Sequence, residues 1–306
     1  MPFEPTKKIW MNGEFVDWDE ATVHFLTPTL HYGWGVFEGI RAYATKDGTA
    51  VFRLSDHIKR LFASARIYLM EPDFTVEEVV AATKETVRIN GLEAGYVRPL
   101  MFLGYGEMGL NPLPSKVEVG IACWPWGVYL GQEAMEKGAR VAVSSWQRIG
   151  MNTIPPAGKA TGQYINSSLA KVAALKAGYD EAIMLNPNGT VAEGSGENIF
   201  VVSDGTLVTP PIVDGVLAGL TRDSIITLAT ERGMAVSERS IVRSELYLAD
   251  EVFFTGTAAE VVPVTEVDDR PVGTGRPGPV TRQLMQDYHR ATTGDLPEHA
   301  EWCEYV

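Results

Sequence analysis

Short strand-like runs alternate with amphipathic helical segments along most of the chain, and this alternation restricts the fold to the mixed α and β classes. Helical periodicity is clearest over 75–92, where Val79, Thr83 and Val87 share one face. We predict helices at 57–69, 75–92, 163–178, 221–232 and 279–292, strands at 96–104, 117–124, 139–146, 181–185, 198–202, 206–209 and 251–255, and hairpin turns at 186–189 and 203–205. The pattern therefore predicts an α/β (α+β) architecture.

The length of 306 residues corresponds to two domains or one large one, and the best boundary lies near residue 125. Strand character stops at Trp124, and aromatic residues then gather with glycine and proline over 124–131 (WPWGVYLG). Such a stretch is either a surface loop that covers the core or the wall of a pocket between domains. Its density of aromatic side chains favours the pocket.

The charge balance argues against several classes of partner. The chain has 26 basic and 39 acidic side chains, a net charge of −13, and residues 154–306 alone carry −10. Such an acidic surface repels phosphate backbones and anionic lipids, so we expect neither nucleic-acid nor membrane binding. Two cysteines without metal-ligand spacing, no secretory leader and no apolar stretch of about 20 residues indicate a reduced, cytoplasmic protein without a metal site. A P-loop is also absent from the sequence.

Lys159 has the surroundings of a reactive lysine. It lies in TIPPAGKATG (153–162), among small and apolar residues and with no carboxylate nearby in sequence. Loss of solvation favours the neutral amine, which is a nucleophile towards carbonyls. An ordinary surface lysine is the alternative, and it would be preferred without other support. Tyr164, at the start of the next predicted helix, gives that support because its phenol is placed to approach a group bonded to Lys159.

A second cluster, VAEGSGEN (191–198), places two glutamates in a glycine-rich connection between strand runs. Glu193 and Glu197 fit a solvated turn, a metal site or a general acid–base pair. Glu193 is the better candidate for burial because it follows Val and Ala. A metal site is disfavoured because no histidine lies near in sequence.

Two further segments fit anion binding. LAGLTRDS (217–224) begins a helical segment, and Thr221 fits its N-cap or first turn, where backbone amides can bind an anion. In FFTGTAAE (253–260), a buried strand ends in small residues that let amides and a hydroxyl approach a phosphate or carboxylate. A plain helix cap and a tight turn are the alternatives. Taken with Lys159, Glu193 and Tyr164, these segments match the needs of pyridoxal phosphate.

Short motifs occupy nearly the whole chain, from IWMNG (9–13) to GPVT (278–281). Those between them are HYG (31–33), VFEGIR (36–41), HIKRL (57–61), YVRP (96–99), MGLNP (108–112), PWGVYLG (125–131), KATGQY (159–164), EGSGEN (193–198) and the segment 244–260. In this order they closely resemble the branched-chain amino acid aminotransferases, which are fold-type IV pyridoxal-phosphate enzymes. The resemblance implies two domains, a smaller N-terminal α/β domain at 1–125 and a larger cofactor-binding domain at 138–306 with a mixed or antiparallel sheet. Residues 126–137 would form the interdomain loop.

The resemblance also implies how the cofactor, pyridoxal 5'-phosphate, is held. Lys159 matches the lysine that is bonded to the cofactor and carries the proton between the substrate α-carbon and C4′. Glu193 matches the carboxylate that keeps the ring nitrogen protonated, and Tyr164 matches the phenol that hydrogen-bonds the ring oxygen. The remaining cofactor contacts match Arg60, Leu220, Thr221, Gly256 and Thr257.

A substrate pocket is implied in the same way. The matching positions are Tyr32, Phe37, Gly39, Tyr96, Arg98, Leu110, Trp126, Tyr129, Thr257 and Ala258. Tyr96, with the amides of Thr257 and Ala258, matches the trap for the α-carboxylate. Arg98 matches the residue that receives the side-chain carboxylate of glutamate. One departure is Trp34, where bacterial relatives often carry a smaller residue, and this puts the range of aliphatic substrates in question.

The expected activity is branched-chain amino acid transamination. In two half reactions, L-leucine, L-isoleucine or L-valine would exchange its amino group with 2-oxoglutarate, as in branched-chain amino acid biosynthesis. The lysine, glutamate and phosphate positions also occur in D-amino acid transaminases and aminodeoxychorismate lyase, so a broader or D-specific transaminase is the alternative. A binding module or a metal-dependent hydrolase explains neither Lys159 nor the anion-binding segments. The resemblance implies a homodimer at minimum and possibly a hexamer, because pocket residues come from both chains.

Overall fold

The computed structural model describes residues 4–127 and 132–306, without the side chains of residues 132, 133 and 135. Tyr129 and most of the PWGVYLG motif therefore lie outside the described residues. The strands are β1 (Lys8–Met11), β2 (Glu14–Asp17), β3 (Gly35–Phe37), β4 (Ile40–Thr45), β5 (Gly48–Phe52), β6 (Gly95–Leu103), β7 (Val117–Trp124), β8 (Ala139–Val143), β9 (Glu181–Leu185), β10 (Val191–Gly194), β11 (Asn198–Ser203), β12 (Thr206–Thr209), β13 (Ala235–Glu238), β14 (Glu251–Gly256), β15 (Glu260–Val267), β16 (Arg270–Pro271) and β17 (Cys303–Tyr305).

The α-helices are α1 (Pro28–Tyr32), α2 (Leu54–Ile67), α3 (Val76–Asn90), α4 (Gln132–Lys137), α5 (Tyr164–Lys176), α6 (Leu220–Glu231), α7 (Arg243–Leu248) and α8 (Pro279–Thr292). Short 3₁₀ helices lie at Trp18–Glu20, Thr161–Gln163, Ile212–Asp214 and Pro297–Trp302. The chain divides into two compact units. Unit 1 comprises Met1–Gly127, Gly158–Gly162 and Arg290–Val306, and unit 2 comprises Val128–Ala157 and Gln163–His289. The segment that carries Lys159 thus belongs to unit 1, although the residues on either side of it belong to unit 2.

Unit 1 is built on an antiparallel sheet with the strand order β17-β5-β4-β6-β7-β1-β2, and β3 pairs separately with β6. Strand β7 alternates buried with partly exposed side chains over most of its length, as expected when one face packs on a core. The core combines residues of β4, β6 and β7 with the apolar face of α2, including Ile40, Val97, Ile121, Ile58 and Leu61.

Unit 2 is built on a mixed sheet with the order β10-β9-β8-β15-β14-β11-β12-β13, and β16 extends β15. Strands β8, β9 and β15 pair in parallel around β8, as do β12 and β13, whereas the remaining pairs are antiparallel. Its central strands read as continuous apolar runs because both faces are covered. Ile199, Phe200, Phe253 and Phe254 are completely buried there.

Local sequence explains the helix ends where capping residues are present. Helix α3 begins with a capping box in which the Thr75 hydroxyl accepts from the Glu78 amide at 3.2 Å and Glu78 Oε2 accepts from the Thr75 amide at 2.7 Å. It ends at Gly91, whose left-handed backbone (φ 62°) suits glycine. The helix predicted at 75–92 therefore has its boundaries set by local hydrogen bonds.

The remaining predictions agree with the structure to within a few residues, with three corrections. The strand predicted at 139–146 ends at Val143, because the Ser144 hydroxyl accepts the Trp146 amide in a tight turn at 2.9 Å. The connection predicted at 191–198 contains strand β10, which pairs antiparallel with β9. The elements β1 to β5 and α1 were also not predicted. The mixed α and β fold class is confirmed, whereas the domain limits 1–125, 126–137 and 138–306 stay a prediction.

Candidate active site

In unit 1, an arginine is surrounded by aromatic rings on the central strands. The Arg98 guanidinium carbon lies 4.7 Å from the ring centre of Phe37, 5.4 Å from that of Tyr96 and 5.9 Å from that of Trp124. Cation–π contact stabilises a guanidinium in such a place. The Arg98 Nε atom is buried and has no hydrogen-bond partner among the described residues. The group is therefore a recessed cation in an apolar wall, with hydrogen-bonding capacity left over.

Tyr96 extends this aromatic wall. Its ring lies 5.3 Å, centre to centre, from both Trp124 and Trp126, and it is buried. Its hydroxyl reaches over the backbone of Gly39, where an added Cβ would lie only 1.8 Å from the Tyr96 oxygen. Gly39 is therefore required for this position of the phenol, which explains its place among the predicted pocket residues.

Lys159 is held in unit 1 by its backbone. Its amide donates to the buried Ser64 hydroxyl of α2 at 3.1 Å, and its carbonyl accepts from the Phe37 amide at 3.0 Å. The next residue, Ala160, bridges to Val36 of β3. Lys159 Nζ lies 5.1 Å from the ring centre of Phe37. The Phe37 ring therefore borders both the predicted reactive lysine and the Arg98 guanidinium.

Arg60 projects from α2 onto a buried carboxylate, that of Glu38. Arg60 Nε donates to Oε1 at 2.7 Å and Nη2 donates to Oε2 at 2.8 Å, while His57 Nδ1 donates to Oε2 at 2.7 Å. Burial alone would raise the pKa of Glu38, but the Arg60 and His57 partners hold that pKa well below its usual range. Burial lowers the pKa of His57, and the Glu38 charge opposes this shift.

Tyr32 and Leu110 lie in a different part of unit 1. They line a hollow of about 180 Å³ together with Trp34 and Leu103, among others. Leu110 is 87% exposed and Tyr32 is 43% exposed. Trp34 packs edge-on against Tyr68 at 6.2 Å and lies against the core of unit 1. The structure therefore groups Phe37, Gly39, Tyr96, Arg98 and Trp126 with one another, and groups Tyr32 and Leu110 with Trp34.

In unit 2, Glu193 is buried on β10, and both of its carboxylate oxygens have partners. Oε1 pairs with Arg148 Nη2 at 2.7 Å, and Oε2 accepts from the Asn198 side-chain amide and the Leu217 backbone amide, each at 3.1 Å. Arg148 is itself only 7% exposed. These donors fix the position of the carboxylate. Glu193 is therefore suited to accept from a further N–H group.

Glu197, four residues later, has different surroundings. It is buried near Glu181, and Lys171 Nζ pairs with Glu181 Oε2 at 2.6 Å. Burial and the charge of Glu181 raise the pKa of Glu197 to about 8. The predicted pair of Glu193 and Glu197 thus consists of one paired carboxylate and one carboxylic acid. No group of three or more His, Cys, Asp or Glu side chains within the described residues is arranged to hold a metal ion.

The other predicted cofactor contacts also lie in unit 2. Tyr164 begins α5, and Leu220 and Thr221 form the first turn of α6 after the N-cap Gly219. The backbone amides of a helix's first turn have no partner within the helix, which suits them to a phosphate. Thr221 is buried, and its hydroxyl lies 3.4 Å from that of Tyr288. Gly256 ends β14, and Thr257 and Ala258 follow it directly.

Three contacts of this region had not been predicted as site features: Glu38 on Arg60, Ser64 on Lys159 and Arg148 on Glu193. Glu38 lies within the VFEGIR motif, whose matching with known enzymes could have drawn attention to it. Ser64 and Arg148 carry no local signal, since a serine within a helix and an arginine after a strand usually face solvent.

Comparison with known proteins identifies the family of the chain. A model of the amino-transferase class IV family matches residues 35–267, which places the chain in that class. The branched-chain-amino-acid aminotransferase of Pseudomonas aeruginosa is 51% identical over 298 residues, which cover 97% of each chain. The crystal structure of the Escherichia coli branched-chain amino acid aminotransferase is 47% identical, covers 98% of this chain and 99% of its own, and superposes with a TM-score of 0.96.

A third relative was solved as the holoenzyme. The branched-chain amino acid aminotransferase from Thermobaculum terrenum, in its PLP form, is 38% identical, covers 98% of each chain and has a TM-score of 0.91. Identity of 38 to 51% over nearly the full length shows that the chain belongs to the branched-chain-amino-acid aminotransferases. The family and the enzyme class predicted from the motifs are thereby confirmed.

Proposed function

We propose that the protein catalyses reversible ping-pong amino transfer between L-leucine, L-isoleucine or L-valine and 2-oxoglutarate, with pyridoxal 5'-phosphate as cofactor. The observation that carries this proposal is Arg98 within its aromatic wall. One pocket has to accept a branched aliphatic chain in one half reaction and a glutamate side chain in the other. A recessed cation with an unpaired Nε in an otherwise apolar wall suits both, because it can pair with a carboxylate and still border an aliphatic chain.

The chemistry of the donor set fits the cofactor. The chain offers residue types that a phosphorylated pyridine aldehyde requires: an amine at Lys159, a cation at Arg60 and a paired carboxylate at Glu193. Pyridoxal phosphate, when bound, supplies an aldehyde that bonds amines and a ring that takes up the electrons of the deprotonated α-carbon. The structural neighbour solved in its PLP form supports the same assignment.

Each residue then has a defined task. Lys159 would bond the cofactor, and its Nζ would accept the α-proton of the substrate. Glu193 accepts from the ring N–H and, since Arg148 and Asn198 fix it, keeps that nitrogen protonated. Tyr164 donates to the ring oxygen. Arg60, the first-turn amides at Leu220 and Thr221, and the residues Gly256 and Thr257 hold the phosphate.

The substrate would be held at both ends. Tyr96, with the amides of Thr257 and Ala258, binds the α-carboxylate, and Phe37 and Trp126 border the side chain. Tyr32 and Leu110 complete this wall from a second copy of the chain, and Tyr129 is a further expected pocket position. Tyr129 lies outside the described residues. The exposure of Leu110 and Tyr32 supports their position in a subunit contact, because large apolar surfaces are seldom left in water. We therefore propose a homodimer at minimum, with a hexamer as the larger alternative.

We also propose that the enzyme works in the cytoplasm. The helices of the described part of the chain are all too short or too polar to cross a membrane. The two cysteines, Cys123 and Cys303, are both unpaired and buried, as is common in a reducing compartment. The ligands are small metabolites, and the strongly negative chain offers little to nucleic acids or anionic lipids.

A side-by-side assay tests the reaction class. The enzyme should transfer the amino group of L-leucine to 2-oxoglutarate, and it should do so far faster than that of D-alanine, without releasing pyruvate from aminodeoxychorismate. Preference for D-alanine would replace the proposal with a D-amino acid transaminase. A protein that takes up no pyridoxal phosphate would contradict the assignment altogether.

The role of Arg98 is tested separately. Arg98→Met keeps an apolar side chain of similar length, so it should raise KM for glutamate and 2-oxoglutarate by about 10- to 100-fold, the worth of a charge-assisted pair. KM for leucine should change by less than about threefold, because no second carboxylate is lost. Arg98→Lys, which keeps the charge but not the planar fork, is the matched control and should fall between these values. Equal losses for leucine and glutamate would remove Arg98 from its assigned role.

A further inference from the structure

Glu38 lies at the centre of the candidate site without being a predicted contact of either ligand. It is completely buried between Phe37, which touches Lys159 and Arg98, and Gly39, which accommodates the Tyr96 phenol. Arg60 binds both of its carboxylate oxygens, and His57 binds one of them. Since the oxygen is a carboxylate acceptor, His57 Nδ1 carries the hydrogen.

Stability alone is a weak reason for such a cluster. Removing charges from water is costly, and apolar residues of similar volume often stabilise a fold as well or better. The core around α2 is apolar, with Leu54, Ile58 and Leu61 completely buried. A charged cluster retained beside that core therefore calls for a role in the site itself.

Helix α2 shows what the cluster is attached to. His57, Arg60 and Ser64 are spaced three and four residues apart, so they share one face of the helix. Ser64 on this face anchors the backbone of Lys159, and Arg60 on the same face is the proposed phosphate cation. The carboxylate of Glu38, on the segment between β3 and β4, thus ties this helix face to the sheet.

The two-point pairing restricts the arginine. A guanidinium is planar, with five N–H donors in a rigid fork. Donation from Nε and Nη2 to one carboxylate fixes the plane of the fork and directs its other edge away from Glu38. The long side chain is then already ordered before an anion arrives, and binding costs less conformational freedom.

We propose that Glu38 is a positioning residue that orients Arg60 to receive the phosphate of the cofactor, with His57 holding Oε2 of the same carboxylate. The inference rests on the phosphate role proposed for Arg60. The proposed role opposes the direct electrostatic effect, because the negative charge of Glu38 by itself repels a phosphate. Orientation and charge therefore predict opposite outcomes when Glu38 is neutralised.

The test compares pyridoxal 5'-phosphate with pyridoxal, which lacks only the phosphate. Full-length protein freed of cofactor is titrated with each compound, and Kd is read from tryptophan fluorescence and from the absorbance of the bound chromophore. Glu38→Gln should weaken pyridoxal 5'-phosphate binding about tenfold, the worth of one charge-assisted hydrogen-bonded pair, and leave pyridoxal within about twofold.

Two variants serve as controls. Glu85→Gln makes the same change in an exposed Glu–Arg fork on α3, where Arg88 Nε donates to Glu85 at 2.7 Å, and should leave both constants unchanged. In an Arg60→Met background, Glu38→Gln should no longer weaken pyridoxal 5'-phosphate binding, because the group that it orients is gone. If Glu38→Gln does not fold, Glu38→Asp is the alternative variant. It keeps the charge but moves the carboxylate away from Arg60 by one methylene group, and it should show the same phosphate-specific loss.

The outcomes separate this inference from the proposed function. Unchanged or tighter pyridoxal 5'-phosphate binding by both Glu38→Gln and Glu38→Asp would overturn the positioning role. Equal losses for the two compounds would also overturn it, since a merely structural residue does not distinguish them. If the unaltered protein bound pyridoxal as tightly as its phosphate, the phosphate role of Arg60 itself would fail.

Discussion

Each compact unit buries a cluster of ionisable side chains beside its candidate site residues, and the two clusters have opposite compositions. In unit 1, the single carboxylate of Glu38 is shared by Arg60 and His57. In unit 2, the carboxyl groups of Glu181 and Glu197 lie near one cation, Lys171, which pairs with Glu181 at 2.6 Å. Glu38, Glu181 and Glu197 are all buried, so burial does not distinguish them.

The difference shows that neighbouring charges decide whether a carboxyl group stays ionised in spite of its burial. The pKa of Glu38 lies well below its usual range, because two partners donate to it and outweigh the effect of burial. The pKa of Glu197 is raised to about 8, because burial and the charge of Glu181 act in the same direction. Glu193, only four residues from Glu197, has its own arginine. Four predictions test whether the different surroundings of these side chains also give them different effects on activity and stability.

The largest effect is expected from the lysines of the two units. Lys159→Met should reduce transamination by about 10³-fold or more, since it removes both the group that bonds the cofactor and the proton carrier. Lys171→Met, the matched control, removes a lysine from the cluster of unit 2 and should retain turnover. Steady-state rates with L-leucine and 2-oxoglutarate measure both. Activity that survives Lys159→Met would mean that another lysine carries the reaction.

The two glutamates of the EGSGEN motif should differ next. Glu193→Gln should lower kcat about 10²-fold, because the amide cannot keep the cofactor ring nitrogen protonated. Glu197→Gln should leave kcat within about threefold, because glutamine imitates the protonated acid that burial already favours. Comparable losses in the two variants would contradict the division of roles drawn from their surroundings.

Stability should be affected more modestly. Lys171→Met leaves the Glu181 carboxylate buried without its cation and should lower the free energy of unfolding by about 2 kcal/mol at pH 8. Lys59→Met, at a surface pair with Asp56 in which the lysine is 67% exposed, should change it by less than about 0.5 kcal/mol. Urea denaturation of both variants provides the measurement, and a Lys171 effect no larger than that of Lys59 would show that the buried cluster tolerates the loss.

The last prediction concerns the pH dependence of stability. Folded Glu197 keeps its proton to about pH 8, whereas in the unfolded chain it ionises near the ordinary value of 4.5. Between these values the folded state binds more protons, so this group lowers stability as pH rises, by about 1 kcal/mol per pH unit. Unfolding free energies measured from pH 5 to 8 should therefore fall less steeply for Glu197→Gln than for the unaltered protein. Parallel curves would place the folded pKa of Glu197 near its ordinary value.

Local signals predicted the parts of the fold that local hydrogen bonds and periodicity control. The strands at 117–124, 181–185 and 206–209 and the helix at 279–292 have the predicted limits, and the turn at 203–205 has the left-handed residues Asp204 and Gly205. Strands β1 to β5 were not predicted, and length does not explain this, since the four-residue strand β12 was predicted with its observed limits. Strand β10 was missed because its glycine-rich continuation is typical of a loop, whereas pairing with β9 stabilises it.

The sequence by itself determined the family, the reaction class and the residue types of the candidate site, because motif order reflects the chemistry that pyridoxal phosphate requires. Which side chains support those residues was decided only by tertiary structure. Arg148 and Glu193 are far apart in sequence, as are Ser64 and Lys159, yet each pair lies within hydrogen-bonding distance. The physical reason is that a buried charge or donor is stabilised by whichever partner the fold brings close to it. Neither composition nor periodicity predicts which residues distant in sequence come within hydrogen-bonding distance.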